Sequence, residues 1–137
     1  MGRKKGSAQL TPLELQIMHV LWDRGPSTVQ YVQESLPGSQ KLAYTTVQTM
    51  LNVLERKGRV KRVLRGRAFE YRPVLSQERA ATNAVRDMVD RLFGGSVEGL
   101  LMSLVKSKQL DPKQLERISE QIEQYERNKK ENDDGND

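Results

Sequence analysis

Hydrophobic residues in the first part of the chain recur at helical spacing and predict three short helices. Thr11 precedes a proline and is followed three residues later by Glu14, which is the pattern of a capped helix start. Gly58 follows the last hydrophobic position of the third helix and is suited to end it. The three helices are predicted over about residues 11–23, 27–36 and 44–57.

Two short runs with strand character follow the third helix. They cover residues 60–64 and 68–71, and Arg65-Gly66-Arg67 lies between them. Glycine tolerates the backbone of a tight turn, so this pattern predicts a β-hairpin with an arginine on each side of its tip. The predicted fold class is therefore mainly α with a small β-hairpin.

The second part of the chain has three further helical patterns, which begin near Ser76, Ser96 and Asp111. A helical segment of about 55 residues rarely buries enough surface to be stable alone, so a second copy of the chain is its predicted partner. Folding back onto the first domain is the alternative. The predicted dimer interface consists of the apolar residues Met88, Leu92, Leu100, Leu101, Leu104, Leu115, Ile118 and Ile122.

Charge is distributed unevenly along the 137 residues, whose net charge is +5. Residues 1–75 contain 13 Lys and Arg against 5 Asp and Glu, whereas residues 76–137 contain 10 against 13. A basic front part favours contact with a polyanion, and ordinary solvated charge is the alternative. The sequence predicts a flexible basic arm at 1–9, domains at 10–75 and 76–130, and a disordered acidic tail at 131–137.

Composition excludes several kinds of chemistry. The chain has no cysteine and one histidine, which argues against disulfides, a metal site and a thiol nucleophile. No serine nucleophile motif or glycine-rich phosphate loop is present, so we expect no catalytic residues, no cofactor and no enzyme. Because no apolar run is long enough for a membrane span or a secretory signal, a soluble cytoplasmic protein without membrane insertion is expected.

One side of the third helix carries polar side chains without a carboxylate. Thr45, Thr49, Asn52 and Arg56 form this stripe, and Gln48 flanks it. Asn and Gln can pair with adenine, Thr can contact phosphate or a thymine methyl, and Arg suits guanine or phosphate. A solvated face is the alternative, but such faces usually mix Glu with Lys. The stripe therefore favours insertion into the major groove of DNA.

Two further features can contribute contacts to phosphates. Arg65 and Arg67 flank the predicted hairpin tip, within a segment from residue 56 to 72 that has eight cations and one acid. Charge on an edge strand can also merely prevent aggregation. Ser27 and Thr28 begin the second helix, where backbone N–H groups can bind phosphate, although a plain helix cap is the alternative.

The sequence resembles the penicillinase and methicillin-resistance repressor family, which is related to copper-responsive repressors. The resemblance extends from about residue 10 to 125, and its most specific part is Ala-Tyr-Thr-Thr-Val-x-Thr. The segments that support it are Leu13–Trp22, Ala43–Leu51, Glu55–Gly58 and Arg65–Tyr71.

This resemblance implies an N-terminal winged helix-turn-helix over residues 10–75 and a C-terminal helical dimerisation domain. It also implies a homodimer that binds a palindromic operator in double-stranded DNA and represses transcription. The third helix would be the recognition helix, and residues 65–67 would be the tip of the wing. The positions that correspond to DNA contacts in the family are Lys41, Tyr44, Thr45, Thr46, Gln48 and Thr49.

Two departures from the family pattern concern the inducing signal. Penicillinase repressors are cleaved at an Asn-Phe bond, where this chain has Met102-Ser103-Leu104. Copper-responsive relatives use a Cys-x-Cys motif, and this chain has no cysteine. The resemblance therefore supports repression, while the signal, and a membrane sensor-protease as partner, stay open.

Two other functions compete with sequence-specific DNA binding. A winged-helix protein-interaction module would have an apolar exposed face on the third helix, where this chain has polar residues. An RNA-binding protein would present aromatic residues for base stacking, and the basic part has few, chiefly Tyr44, Phe69 and Tyr71.

Overall fold

The computed structural model describes residues 9–38 and 42–135. Within them it has six helices and one two-stranded antiparallel sheet, which confirms the predicted fold class. None of these described helices is long and apolar enough to cross a membrane. In chain order the elements are α1 (Pro12–Arg24), α2 (Val29–Ser35), α3 (Tyr44–Arg56), β1 (Val60–Arg65), β2 (Ala68–Pro73), α4 (Gln77–Leu92), α5 (Val97–Lys106) and α6 (Pro112–Gly135).

The start of α1 has the predicted capping box. The Thr11 hydroxyl accepts a hydrogen bond from the Glu14 backbone N–H at 3.2 Å, and the Glu14 carboxylate accepts one from the Thr11 N–H at 2.9 Å. Two N–H groups that lack partners within the helix are thereby satisfied. The local sequence thus fixes where the central helix begins.

Helices α1, α2 and α3 and the hairpin enclose one hydrophobic core. The apolar face of α3 and one face of α1 supply most of it, and Tyr71 of β2 covers it from the hairpin side. Burial of each large side chain contributes about 1.5–3 kcal/mol. Because Val47, Leu51 and Leu54 lie on the same side of α3, the core holds this helix by that face only. The largest fully buried apolar side chains are Ile17, Met18, Leu21, Val32, Val47, Leu51, Leu54 and Tyr71.

The hairpin is attached to the helices at its second strand. Strands β1 and β2 pair from Val60 with Pro73 to Arg65 with Ala68, and Gly66 at the tip has a φ of +64°. Ser27 and Tyr71 exchange two backbone hydrogen bonds of 3.0 and 2.8 Å, which join β2 to the loop before α2. These bonds give the wing a fixed base beside the three helices.

A buried ion pair links α1 to the end of α3. The Lys57 ammonium donates to the Glu14 carboxylate at 2.8 Å, and the Glu14 side chain is only 2% exposed. Burial by itself raises the pKa of Glu14, but the hydrogen bonds from Lys57 and Thr11, together with the lysine charge, outweigh it and lower that pKa below 4.5. The ionised carboxylate is therefore the form that the fold stabilises.

Replacement of Glu14 by Gln is expected to lower the free energy of unfolding near neutral pH by about 2 kcal/mol. Because the folded pKa of Glu14 is lowered, its contribution is complete above about pH 4.5 and is lost as the pH falls through the folded pKa. Urea unfolding at several pH values, with exposed Asp23→Asn as control, should show the difference from wild type shrinking in acid. A difference that stays constant down to about pH 3 would contradict this assignment.

The chain forms a second compact unit from residue 87 onward, so the division falls inside α4 and not at the predicted position after residue 75. The first turns of α4 belong to the first unit because Leu75, which precedes them, packs against the core and accepts a hydrogen bond from Trp22. Among residues 87–133, only Val89 and Leu110 are buried.

The C-terminal end differs from the prediction of a disordered acidic tail at 131–137. Helix α6 continues to Gly135, and residues 136 and 137 lie outside the described part. Acidic and amide side chains lower helix propensity only slightly, and no proline or glycine interrupts the segment before residue 135. The predicted basic arm at 1–9 likewise lies outside the described residues, except for Gln9.

Candidate nucleic-acid interface

Helix α3 separates an apolar face from an exposed polar face. Its Val47, Leu51 and Leu54 side chains are fully buried. The Gln33 side-chain amide donates a 2.9 Å hydrogen bond to the carbonyl of Leu42, which lies two residues before α3 begins. The predicted contact residues Tyr44, Thr45, Thr46, Gln48, Thr49 and Arg56 are all exposed. The structure therefore brings six of the predicted residues onto the accessible surface of one helix.

Asn52 has a different environment from the rest of the stripe. It is half-buried, and its side-chain oxygen accepts a hydrogen bond of 3.3 Å from the Tyr71 hydroxyl. Bidentate recognition of adenine needs both the oxygen and the nitrogen of an amide. Asn52 therefore connects α3 to β2 through the same oxygen that a bidentate contact with adenine would use.

The wing is held beside α3 by an arginine that the sequence analysis did not single out. The Arg62 guanidinium lies 4.5 Å from the centre of the Phe69 ring and 3.6 Å from the Glu55 carboxylate of α3. An exposed ion pair contributes little to stability, but the stacked guanidinium and the carboxylate together restrict the wing. Because the three residues lie on three different elements, α3, β1 and β2, only the folded chain reveals the contact.

The wing tip keeps cations at its surface. Arg65 contacts Glu70 at 3.4 Å but is 72% exposed in its side chain, and Arg67 is exposed on the other side of Gly66. Lys61 and Arg72 are exposed as well and occupy paired positions of the two strands. The wing therefore adds a cationic surface next to α3, and both of its nearby carboxylates, Glu55 and Glu70, already contact arginines.

Ser27 is a correction to the predicted site. Its side chain is only 3% exposed, and its hydroxyl donates to the Gly25 carbonyl at 2.8 Å. Ser27 is therefore a structural residue, because its backbone pairs with Tyr71 and its hydroxyl is used within the turn. The Thr28 hydroxyl caps α2 by accepting from the Tyr31 N–H at 3.1 Å. Lys41 lies outside the described residues.

The predicted dimer residues lie largely on the surface of a single chain. Leu92 is 75% exposed, and Ile122 is 55% exposed. Leu100 and Leu104 of α5 are half-buried. The remaining members of the set are between 40 and 46% exposed, and they are Met88, Leu101, Leu115 and Ile118.

Known proteins resemble this chain over most of its length. The penicillinase repressor of Bacillus licheniformis is 24% identical and aligns over 90% of this chain and 96% of its own. The transcriptional regulator BlaI of Mycobacterium tuberculosis is 34% identical over 72% of each chain. The crystal structure of transcriptional regulator Tm0710 from Thermotoga maritima shares the fold, with a TM-score of 0.51, 18% identity, and coverage of 93% of this chain and 82% of that one.

The family assignment follows from a match that spans both compact units. The model of the family described as penicillinase repressor matches residues 10–124, which include every helix and strand from α1 to the middle of α6. The segments Leu13–Trp22, Ala43–Leu51, Glu55–Gly58 and Arg65–Tyr71 lie in α1, in α3 and its two ends, and in the wing. The chain belongs to the penicillinase repressor family.

Proposed function

We propose that this protein is a sequence-specific DNA-binding transcriptional repressor that acts as a homodimer on a palindromic operator. The observation that supports DNA binding most directly is the exposed polar face of α3, which lies beside a cationic wing. The single carboxylate of α3, Glu55, is half-buried and contacts Arg62. A helix of this kind fits the major groove, which is about 12 Å wide. The names of the aligned relatives, a penicillinase repressor and a transcriptional regulator, agree with this proposal.

The two parts of the surface have different tasks in this proposal. Gln48 and Thr49 are short, neutral and exposed on α3, so they can recognise base edges. Arg65 and Arg67 have long cationic side chains at the wing tip, which suit phosphates of any sequence. Base selection would therefore come from the helix, and most of the salt-dependent affinity would come from the wing.

Dimerisation is inferred from the apolar surface of the second unit. Residues 87–133 bury few side chains within the chain, while Leu92, Ile118 and Ile122 remain 40–75% exposed. Large exposed apolar side chains in this number favour a protein interface, and two copies related by a two-fold axis would cover them symmetrically. Two recognition helices would then contact half-sites separated by about 34 Å or a multiple of it.

Relief of repression by proteolysis would require a bond other than Asn-Phe. Met102-Ser103-Leu104 lies within α5, where Met102 and Ser103 are exposed and Leu104 is half-buried. A protease needs an extended substrate, so cleavage here would require local unfolding of α5. We infer that the protein acts in the cytoplasm, where its operator DNA is found.

The proposal is tested by competition between nucleic acids. Duplex fragments from the region upstream of the gene should contain a site that the protein binds at least about 10³-fold more tightly than unrelated duplex of the same length. Single-stranded RNA in excess should not displace that fragment in a mobility-shift assay. Equal competition by RNA, or equal affinity for every duplex, would contradict sequence-specific DNA binding.

A further inference from the structure

The first unit contains a cavity that the proposed DNA contacts do not use. Its volume is about 310 Å³, and it lies between α1 and the first two turns of α4. Leu15 and Trp22 line it from α1, and Leu75 lines it from the segment before α4. On the other side it is bounded by the three alanines Ala80, Ala81 and Ala84.

The cavity exists because opposite walls differ in side-chain size. Leu15 and Trp22 line the α1 side of the cavity; Trp22 also packs against the edge of the main core, whereas Leu15 stays 37% exposed. A helix that faced them with leucines would fill this space, whereas Ala81 and Ala84 are too short to do so. The result is an apolar concave surface within one compact unit, all of whose lining residues precede residue 87.

The aromatic wall of the cavity is already oriented. The Trp22 indole N–H donates to the Leu75 carbonyl at 2.9 Å, and the His19 ring meets the indole edge-on at 5.2 Å between centroids. Because its N–H is satisfied within the protein, the indole offers a ligand only its π-surface. Pre-orientation of this kind lowers the entropy cost of binding a flat molecule.

The lining chemistry identifies the class of ligand. No Asp, Glu, Lys or Arg contributes to the cavity, and its polar side chains are the neutral amides Gln9, Gln77 and Asn83 and the imidazole of His19. A volume of about 310 Å³ is at the lower end of the range for small-molecule sites. We propose that this cavity binds a small uncharged aromatic molecule, with one or two rings and a single polar substituent.

Other occupants fit the cavity less well. The N-terminal residues 1–8 contain three cations and two glycines, a composition that does not match an apolar cavity. A second copy of the chain is the occupant proposed for the exposed apolar side chains of residues 87–133, and it is not needed to explain the cavity. A ligand in the cavity would contact α1, the helix that holds the end of α3 through Glu14 and Lys57.

The test uses the free full-length protein and 1-naphthol as the probe. Trp22 is the single tryptophan of the chain, so its indole N–H gives one NMR resonance that reports directly on the cavity wall. We expect calorimetry to show saturable binding with one site per chain. The Trp22 resonance should shift over the same range of probe concentration, since the ring current of a stacked molecule acts only at short range.

Variants of α4 separate the cavity from other apolar surfaces. Ala84→Phe should fill the space and weaken 1-naphthol binding by about tenfold or more, which is about 1.4 kcal/mol. Thr82→Phe, an exposed position on the same helix outside the cavity lining, should leave the affinity within about twofold. If circular dichroism shows that Ala84→Phe does not fold, Ala81→Leu is the replacement variant.

Four results would overturn the proposal. Binding without saturation, or saturation without movement of the Trp22 resonance, would show that the probe binds elsewhere. Equal affinity of the filled variant and wild type would show the same. A loss of probe binding as protein concentration rises, together with a changed oligomeric state in the filled variant, would identify a second copy as the occupant. None of these outcomes depends on DNA binding, so they leave the proposed repressor function untouched.

Discussion

Replacement of Ile118 by Asp is expected to convert the proposed dimer into monomers and to weaken binding to the proposed dyad operator by about two orders of magnitude. Ile118 lies on α6 and is 40% exposed in the single chain. In the proposed dimer its side chain would be buried, and an unpaired carboxylate there would cost several kcal/mol. Loss of the dimer removes the linkage between half-sites, so each recognition helix would bind with only its own affinity.

The adjacent substitution Ser119→Asp provides a matched control, because it adds the same charge at an exposed polar position of the same helix. Sedimentation equilibrium should give a dimer mass for wild type and for Ser119→Asp, and a monomer mass for Ile118→Asp. Circular dichroism would establish that the first unit of each variant is folded. A dimeric Ile118→Asp protein with full operator affinity would show that the two copies associate through another surface.

Gln48→Ala and Arg67→Ala are expected to impair DNA binding in two distinguishable ways. Gln48 is exposed on α3 and can form a bidentate contact with one base, which is worth about 1–3 kcal/mol of discrimination against other bases. Its loss should remove the preference at one symmetric pair of positions. Arg67 at the wing tip carries a phosphate-directed charge, so its loss should weaken binding to every sequence and reduce the salt dependence by about one unit of slope.

The elements of the first unit follow directly from local sequence signals. Thr11 with Glu14, and Gly58 with its φ of +77°, mark helix ends that the structure reproduces, and Gly66 occupies the tip of the predicted hairpin. These signals act over three or four residues, so a single sequence contains them in full. The exposed face of α3 was predictable for the same reason, because helical periodicity alone separates Val47 and Leu51 from Thr45 and Thr49.

Contacts between distant residues were not predictable in this way. Glu14 was predicted only as a capping residue, and its pairing with Lys57, 43 positions away, depends on the packing of α1 against α3. The position of Ser27 just before α2 predicts a phosphate contact or a plain helix cap. Only the structure shows that Ser27 is buried and that its backbone pairs with Tyr71. The division within α4 is also a property of packing, since nothing in the local pattern interrupts that helix.

The second unit shows a related limit of periodicity. The spacing of Leu100, Leu101 and Leu104 predicts which face of α5 is apolar but not what covers that face. In the single chain, several apolar side chains of α5, among them Leu101, stay exposed. This exposure supports a partner, as does the small size of the second unit. At the C-terminal end the composition is misleading, because a polar segment predicts disorder whereas α6 continues to Gly135.

The most direct test of DNA recognition by α3 is a base-pair substitution profile of the operator. Affinities of wild type, Gln48→Ala and Arg67→Ala would be measured for duplexes in which each symmetric pair of positions is changed in turn, at two salt concentrations. Recognition by α3 predicts that Gln48→Ala loses discrimination at one pair of positions only, while Arg67→Ala keeps the wild-type profile at uniformly lower affinity. Identical, uniformly lowered profiles for both variants would contradict the assignment of base recognition to α3.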